Sequence, residues 1–114
     1  MRILVETYKN GTSWHKVFEE YDANNNYVGK WCSQGGRATS ATVTVSLTKA
    51  FANTDYKTFV MKYGTGTNVW ISRVETVSKK KSNSFFIDYK NVNPSGQGTF
   101  AYYDWRAEGF ITEA

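Results

Sequence analysis

Thr42-Val43-Thr44-Val45-Ser46-Leu47 alternates without interruption: Val43, Val45 and Leu47 fall on one side of an extended chain, threonine or serine on the other. That period of two is the signature of a strand with one buried face. The β-branched residues fit a pleated surface better than a helix. Working outward, turn-forming clusters recur at short intervals: Lys9-Asn10-Gly11, Asp22-Ala23-Asn24-Asn25-Asn26 and Gly35-Gly36 before it. Ala52-Asn53-Thr54-Asp55, Gly64-Thr65-Gly66, residues 79–83 and Asn93-Pro94-Ser95-Gly96-Gln97-Gly98 follow it. The runs between them have strand length.

Residues 13–21 and 27–32 read as an early antiparallel pair, and Trp31-Cys32-Ser33-Gln34-Gly35-Gly36 as a strand ending in a glycine bend, with Trp31 and Cys32 in the core. Residues 56–63 and 69–77 flank Gly64-Thr65-Gly66 and read as a hairpin. In its second arm Val69, Ile71, Arg73, Glu75 and Val77 share one face, and Trp70, Ser72, Val74 and Thr76 the other. Neither face is uniformly apolar, which suggests ends buried differently or a second burial surface supplied by another subunit. Residues 84–89 and 99–105 read as a further pair across Pro94, with 108–111 as a short terminal strand. The spacing predicts an all-β fold, an antiparallel β-sandwich of about seven or eight strands with little or no helix. Residues 1–114 are one domain's worth of chain, and residues 1–8 could be the end of a stalk or linker.

Composition narrows the chemistry. Cys32 is the only cysteine, which excludes an intrachain disulfide and a multi-cysteine zinc site, and it reads as a small buried hydrophobe. His15 is the only histidine, and nothing in the spacing pairs it with Cys32 as a nucleophile's base. No apolar run approaches the length of a membrane span, and Met1-Arg2-Ile3-Leu4-Val5-Glu6 is too short and too quickly charged for a signal peptide. The expectation is a soluble protein with no secretory address and no membrane insertion. The net charge of +4 is spread along the chain; only Lys79-Lys80-Lys81 forms a run, flanked by serine and asparagine, and it reads as a solvated hairpin tip. No nucleic-acid partner is expected.

An enzyme acting on sugars needs two carboxylates flanking the scissile bond. Asp88, Asp104 and Glu108 are the acids near aromatic strands, and they read as charges balancing nearby lysines. Glu19, Glu20 and Asp22 read as a solvated strand end. The 22–26 segment lacks the glycine and distal glutamate of an EF-hand, so no metal and no other cofactor is expected. Gly64-Thr65-Gly66 lies between strands, not ahead of a helix that would bind phosphate. What remains is aromatic: Tyr63, Trp70, Tyr102, Tyr103 and Trp105 near turns or strand ends, with the amide of Asn68. Rings under the C–H face of a sugar, with amide or carboxylate hydrogen bonds, suit a glycan. Tyr63, Asn68, Trp70, Tyr102 and Tyr103 are the expected contact residues; no catalytic residue is expected.

Ser13-Trp14-His15-Lys16-Val17-Phe18, then Gly29-Lys30-Trp31-Cys32-Ser33-Gln34-Gly35-Gly36, residues 44–56, and the closing Trp105-Arg106-Ala107-Glu108-Gly109-Phe110 occur in an order that resembles the C-terminal domain of tailed-bacteriophage tail fibres. The 22–27 turn is longer and richer in asparagine than expected there, and Glu108 stands where a small or apolar residue is expected. The resemblance implies a homotrimeric β-sandwich at the fibre tip. It would be made in the bacterial cytoplasm, carried in the virion and adsorb non-enzymatically to a bacterial surface glycan or outer-membrane protein. Two rival expectations stand beside it: a polysaccharide-degrading enzyme using Asp88, Asp104 or Glu108, and a structural trimerisation module.

Overall fold

The computed structural model describes residues 1–63, 73–91 and 101–113. They form eight strands: β1 Arg2–Asn10, β2 Ser13–Tyr21, β3 Tyr27–Ala38, β4 Val43–Ser46, β5 Lys57–Tyr63, β6 Arg73–Lys81, β7 Ser84–Asn91 and β8 Tyr102–Glu113. The described residues contain no helix. The strands build a five-stranded antiparallel sheet in the order β1-β2-β3-β8-β5 and a three-stranded one in the order β4-β7-β6. The all-β sandwich expected from the alternation is what the chain forms.

The core lies between the sheets. Cys32, Gln34, Gly36 and Ala38 of β3 stand opposite Gly109, Ala107, Trp105 and Tyr103 of β8, so these eight share the inner face. Val45 of β4 and Phe85 and Ile87 of β7 cover them, with Phe51 and Tyr56 from the flanks of the β4–β5 connection. Phe85 meets Trp105 edge to face at 5.5 Å. Phe85 and Ile87 are fully buried, and each such side chain contributes about 1.5–3 kcal/mol. The alternation in β4 emerges as read: Val45 is buried, Val43 and Leu47 pack against the same core, and Thr44 and Ser46 face out.

Strand partners differ from the sequence expectation in three places. Residues 57–63 do not pair with 73–77, the described part of the expected second arm: β5 pairs with β8, and β6 pairs with β7. Residues 84–89 do not pair with 101–105, the described part of the expected partner; β7 lies between β4 and β6. Residues 102–113 are one strand, not two. The inner face of β8, Tyr103-x-Trp105-x-Ala107-x-Gly109, is buried along its length, so it takes a central place with a neighbour on either side. The turns at 64–66 and 93–98 lie outside the described residues. The Lys79–Lys81 run does sit at a hairpin, β6–β7, but it is not wholly solvated. Lys80 Nζ donates to the Tyr56 carbonyl at 2.7 Å, and Lys79 Nζ lies 4.8 Å from the Phe86 ring centre.

The early pair is a true hairpin, β2–β3. Its asparagine-rich turn uses the Asp22 carboxylate itself: Oδ1 accepts from the Asn24 and Asn26 amides at 2.8 and 2.9 Å, and Asn25 takes φ 61°. Those backbone donors hold the Asp22 carboxyl below its ordinary range. The segment is an Asx turn built on that carboxylate.

Gly35 and Gly36 are not a bend. Both lie inside β3, which runs on to Ala38, and neither has a positive φ. They are bare because tryptophans occupy the space a Cβ would take. At Gly36 it would lie 3.1 Å from the Trp105 indole on the inner face. At Gly35 it would lie 2.8 Å from Trp14 on the outer face and 2.7 Å from the Trp105 carbonyl. Trp31 also departs from expectation. Successive residues in a strand point to opposite faces, so with Cys32 fully buried inside, Trp31 is outside and half-buried. There Arg2 covers it at 4.3 Å and Phe110 meets it edge to face at 5.1 Å.

Candidate ligand-binding face

The outer face of the five-stranded sheet carries rings and charges in rows set by the register. One row reads Leu4, Phe18, Trp31, Phe110. The next reads Thr7, Lys16, Ser33, Glu108, Lys57, and the one beyond it Lys9, Trp14, Gly35, Arg106, Phe59. Arg37, Asp104 and Met61 follow, then Tyr102 and Tyr63. On β5 the outward residues Phe59, Met61 and Tyr63 are 48%, 69% and 52% exposed, too open for a monomer's core and concentrated at one edge.

Charges organise the rings. Arg37 Nε donates to Asp104 Oδ1 at 3.0 Å while its guanidinium lies 3.7 Å from the Tyr102 ring centre, and Tyr102 stacks on Tyr63 at 4.9 Å with planes 6° apart. The pairing with Asp104 pushes the Arg37 pKa above its ordinary value. Arg106 bridges Glu108 at 3.2 Å and covers Phe59 at 5.0 Å. Ser33 Oγ donates to the same Glu108 oxygen at 3.1 Å. Two open depressions flank Gly35. One, of about 480 Å³, is lined by Thr7, Lys9, Trp14 and Lys16 above Tyr8 and His15. The other, of about 380 Å³, is lined by Phe59, Met61, Asp104 and Arg106 above Val60 and Trp105.

No protein-family model, curated protein or solved structure matches the chain.

Of the residues expected to contact a ligand, Tyr63 and Tyr102 come together on this face. Tyr103 does not join them: it is fully buried on the inner face, and its hydroxyl donates to the Ala41 carbonyl at 2.8 Å, so it is a pillar of the sandwich. Its neighbour Tyr102 points the other way because the chain is extended. Trp105 is likewise an inner-face core residue. Asn68 and Trp70 lie outside the described residues. The face also contains residues the sequence reading passed over, Trp14, Phe59, Met61, Arg37 and Arg106. The signal for Trp14 was Gly35, a glycine inside a strand, which marks a close approach.

The three acids weighed for glycoside hydrolysis do not form a pair. Asp88 lies on β7 in the other sheet, where its Oδ1 accepts from the Tyr89 amide at 2.8 Å. Asp104 and Glu108 share the outer face of β8, separated by four residues or about 14 Å of strand. Hydrolysis needs roughly 5 to 9.5 Å between the carboxyls, and both acids already neutralise arginines. Among the described residues no group of three or more His, Cys, Asp or Glu side chains could hold a metal ion.

On the inner face the structure assembles a second polar cluster that residue spacing does not announce. His15 is buried at 6% exposure and stacks on Tyr8 at 4.9 Å. Its Nε2 donates to Glu6 Oε2 at 2.6 Å, and its Nδ1 lies 2.9 Å from Thr48 Oγ1. Thr48 donates onward to Gln34 Oε1 at 3.2 Å. The fully buried Gln34 amide docks on the backbone of Lys49, accepting from its N–H at 3.2 Å and donating to its carbonyl at 2.8 Å. Lys49 Nζ closes the circuit on Glu6 at 2.9 Å. Lys49 and His15 together hold the Glu6 carboxyl below its ordinary range. Carboxylate, imidazole and hydroxyl stand in the order of a hydrolase triad, but the Thr48 hydroxyl is shared between the imidazole at 2.9 Å and Gln34 Oε1 at 3.2 Å. The cluster instead fastens the β1–β2 hairpin to the connection after β4.

Proposed function

We propose that this chain is a non-enzymatic binding module that adsorbs to a bacterial surface glycan, as the receptor-binding tip of a phage or prophage tail fibre. The observation that carries the reading is the outer face of the five-stranded sheet. It is an open array of rings interleaved with arginine–carboxylate pairs, in which Phe59, Met61 and Tyr63 are about half exposed or more. Rings offer apolar area to sugar C–H faces, and the paired carboxylates and guanidiniums offer hydrogen bonds to hydroxyls. The separation and pairing of Asp104 and Glu108 favour binding over hydrolysis. Adsorption is tested on arrays of bacterial polysaccharides and on whole cells; binding to neither removes the role.

The homotrimer is part of the same proposal. Strand β1 is exposed along its whole length, with Ile3, Leu4 and Val5 near half exposed, and it forms one edge of the larger sheet, while β5 forms the other. Long apolar edges of this kind invite a neighbouring chain. Sedimentation showing a clean monomer at micromolar concentration would refute the trimer. The same edges favour a second reading, a structural module that only registers the trimer. Tyr63→Ala with Phe59→Ala separates the two: adsorption survives if the domain is structural and falls if the face binds.

A further inference from the structure

We propose that the depression between Lys9, Trp14 and Lys16 is a subsite for an acidic sugar, its ring lying on Trp14 and its carboxylate held by the two ammonium groups. This deepens the glycan-binding reading and rests on it. The register places Lys9 directly opposite Trp14 and Thr7 directly opposite Lys16, so four side chains of one β-hairpin rise around a space of about 480 Å³. Trp14 is seated over Gly35, where a Cβ would come within 2.8 Å of the indole, and the ring remains part-exposed. The absent Cβ is what lets the indole lie on the sheet as a platform.

Charge selects the ligand. Arg2, Arg37 and Arg106 on this face are each paired with a carboxylate, Glu20, Asp104 and Glu108 respectively. Lys9 and Lys16 are exposed and have no carboxylate partner among the described residues. Two unneutralised ammonium groups beside one indole complement a carboxylate carried on a pyranose ring. A nucleic-acid strand fits the face less well. Continuing from this subsite over the sheet, its phosphates would meet Glu108 and Asp104 on β8, two strand spacings or about 10 Å beyond β2 at 4.8 Å per strand. Those carboxylates accept from sugar hydroxyls without such repulsion. The second depression, around Arg106 and Phe59, lies along the same row and offers a neutral sugar its next contact.

The full chain is assayed on immobilised bacterial polysaccharides in which a uronic acid alternates with neutral sugars and on the same polymers after carboxyl reduction, alongside an oligo-dT strand and whole cells. Carboxyl reduction is expected to weaken binding by about tenfold or more, the loss of charge-assisted hydrogen bonds. The double variant Lys9→Gln, Lys16→Gln is expected to show the same loss toward the acidic polymer while keeping its affinity for the reduced one. Both lysines are exposed, so the thermal melt should match the parent, and a second variant, Trp14→Phe, reports on the platform with the charges intact. Equal binding of acidic and reduced polymers, unchanged binding by the lysine variant, or preference for oligo-dT overturns the subsite. Neutral glycans or cells bound without any acidic preference overturn the subsite alone; no binding to any polymer or cell overturns the function as well.

Discussion

Replacing Gly35 by alanine adds one methyl group between the Trp14 indole and the backbone of β8. That carbon would sit 2.7 Å from the Trp105 carbonyl oxygen and 2.8 Å from Cε2 and Cζ2 of Trp14. The carbonyl belongs to the neighbouring strand β8, which pairs on both sides and cannot withdraw without breaking ladder hydrogen bonds. The cost therefore falls near the top of the range for overpacking, about 3 kcal/mol. Alanine recovers about 0.5–1 kcal/mol of backbone entropy that glycine loses in a strand, leaving a net loss of about 2 to 2.5 kcal/mol. At about 2.1 cal/mol/K of unfolding entropy per residue, this lowers Tm by about 8–10 °C for a chain of this length. The assay is a thermal melt followed by near-ultraviolet circular dichroism, repeated in urea. Gly36→Ala is the internal comparison: its nearest atoms are the Trp105 side chain at 3.1 Å, so its loss should be the smaller. Adding Trp14→Ala to Gly35→Ala should remove the ring clash and leave the carbonyl clash, giving less than additive destabilisation. A Gly35→Ala melt within about 2 °C of the parent would refute the reasoning, since ΔΔG would then be under about 0.5 kcal/mol.

Two further outcomes follow from the inner face. Because Lys49 and His15 depress the Glu6 pKa, its contribution is present above the ordinary value of 4.5 and is lost as pH falls below that through the lower folded value. The difference in Tm between the parent and Glu6→Gln should accordingly shrink on going from pH 6 to pH 3, and a difference constant with pH would contradict the assignment. Burial pushes the Cys32 thiol up to about 12, so native protein at pH 8 should resist alkylation and become reactive only in denaturant; rapid native labelling would show that the inner face is open.

Alternation along a single segment was legible because it is local. Val43, Val45 and Leu47 announce a one-sided strand wherever it ends up, and the asparagines between Asp22 and Tyr27 announce a tight turn whatever it joins. The all-β class and the β2–β3 hairpin need nothing more. Which strands become neighbours is a different matter. The placement of β8 between β3 and β5, and of β7 between β4 and β6, depends on matching inner faces across long stretches of chain, and no period of two encodes a partner. The same limit hid the Glu6–His15–Thr48–Gln34–Lys49 cluster, whose members come from β1, β2, β3 and the connection after β4. It also misread Gly35 and Gly36. By itself the sequence determined that two consecutive residues had to lack side chains. Only the tertiary structure decided that the cause was steric and not conformational: Trp14 fills the space on one face and Trp105 on the other, in a strand that never turns.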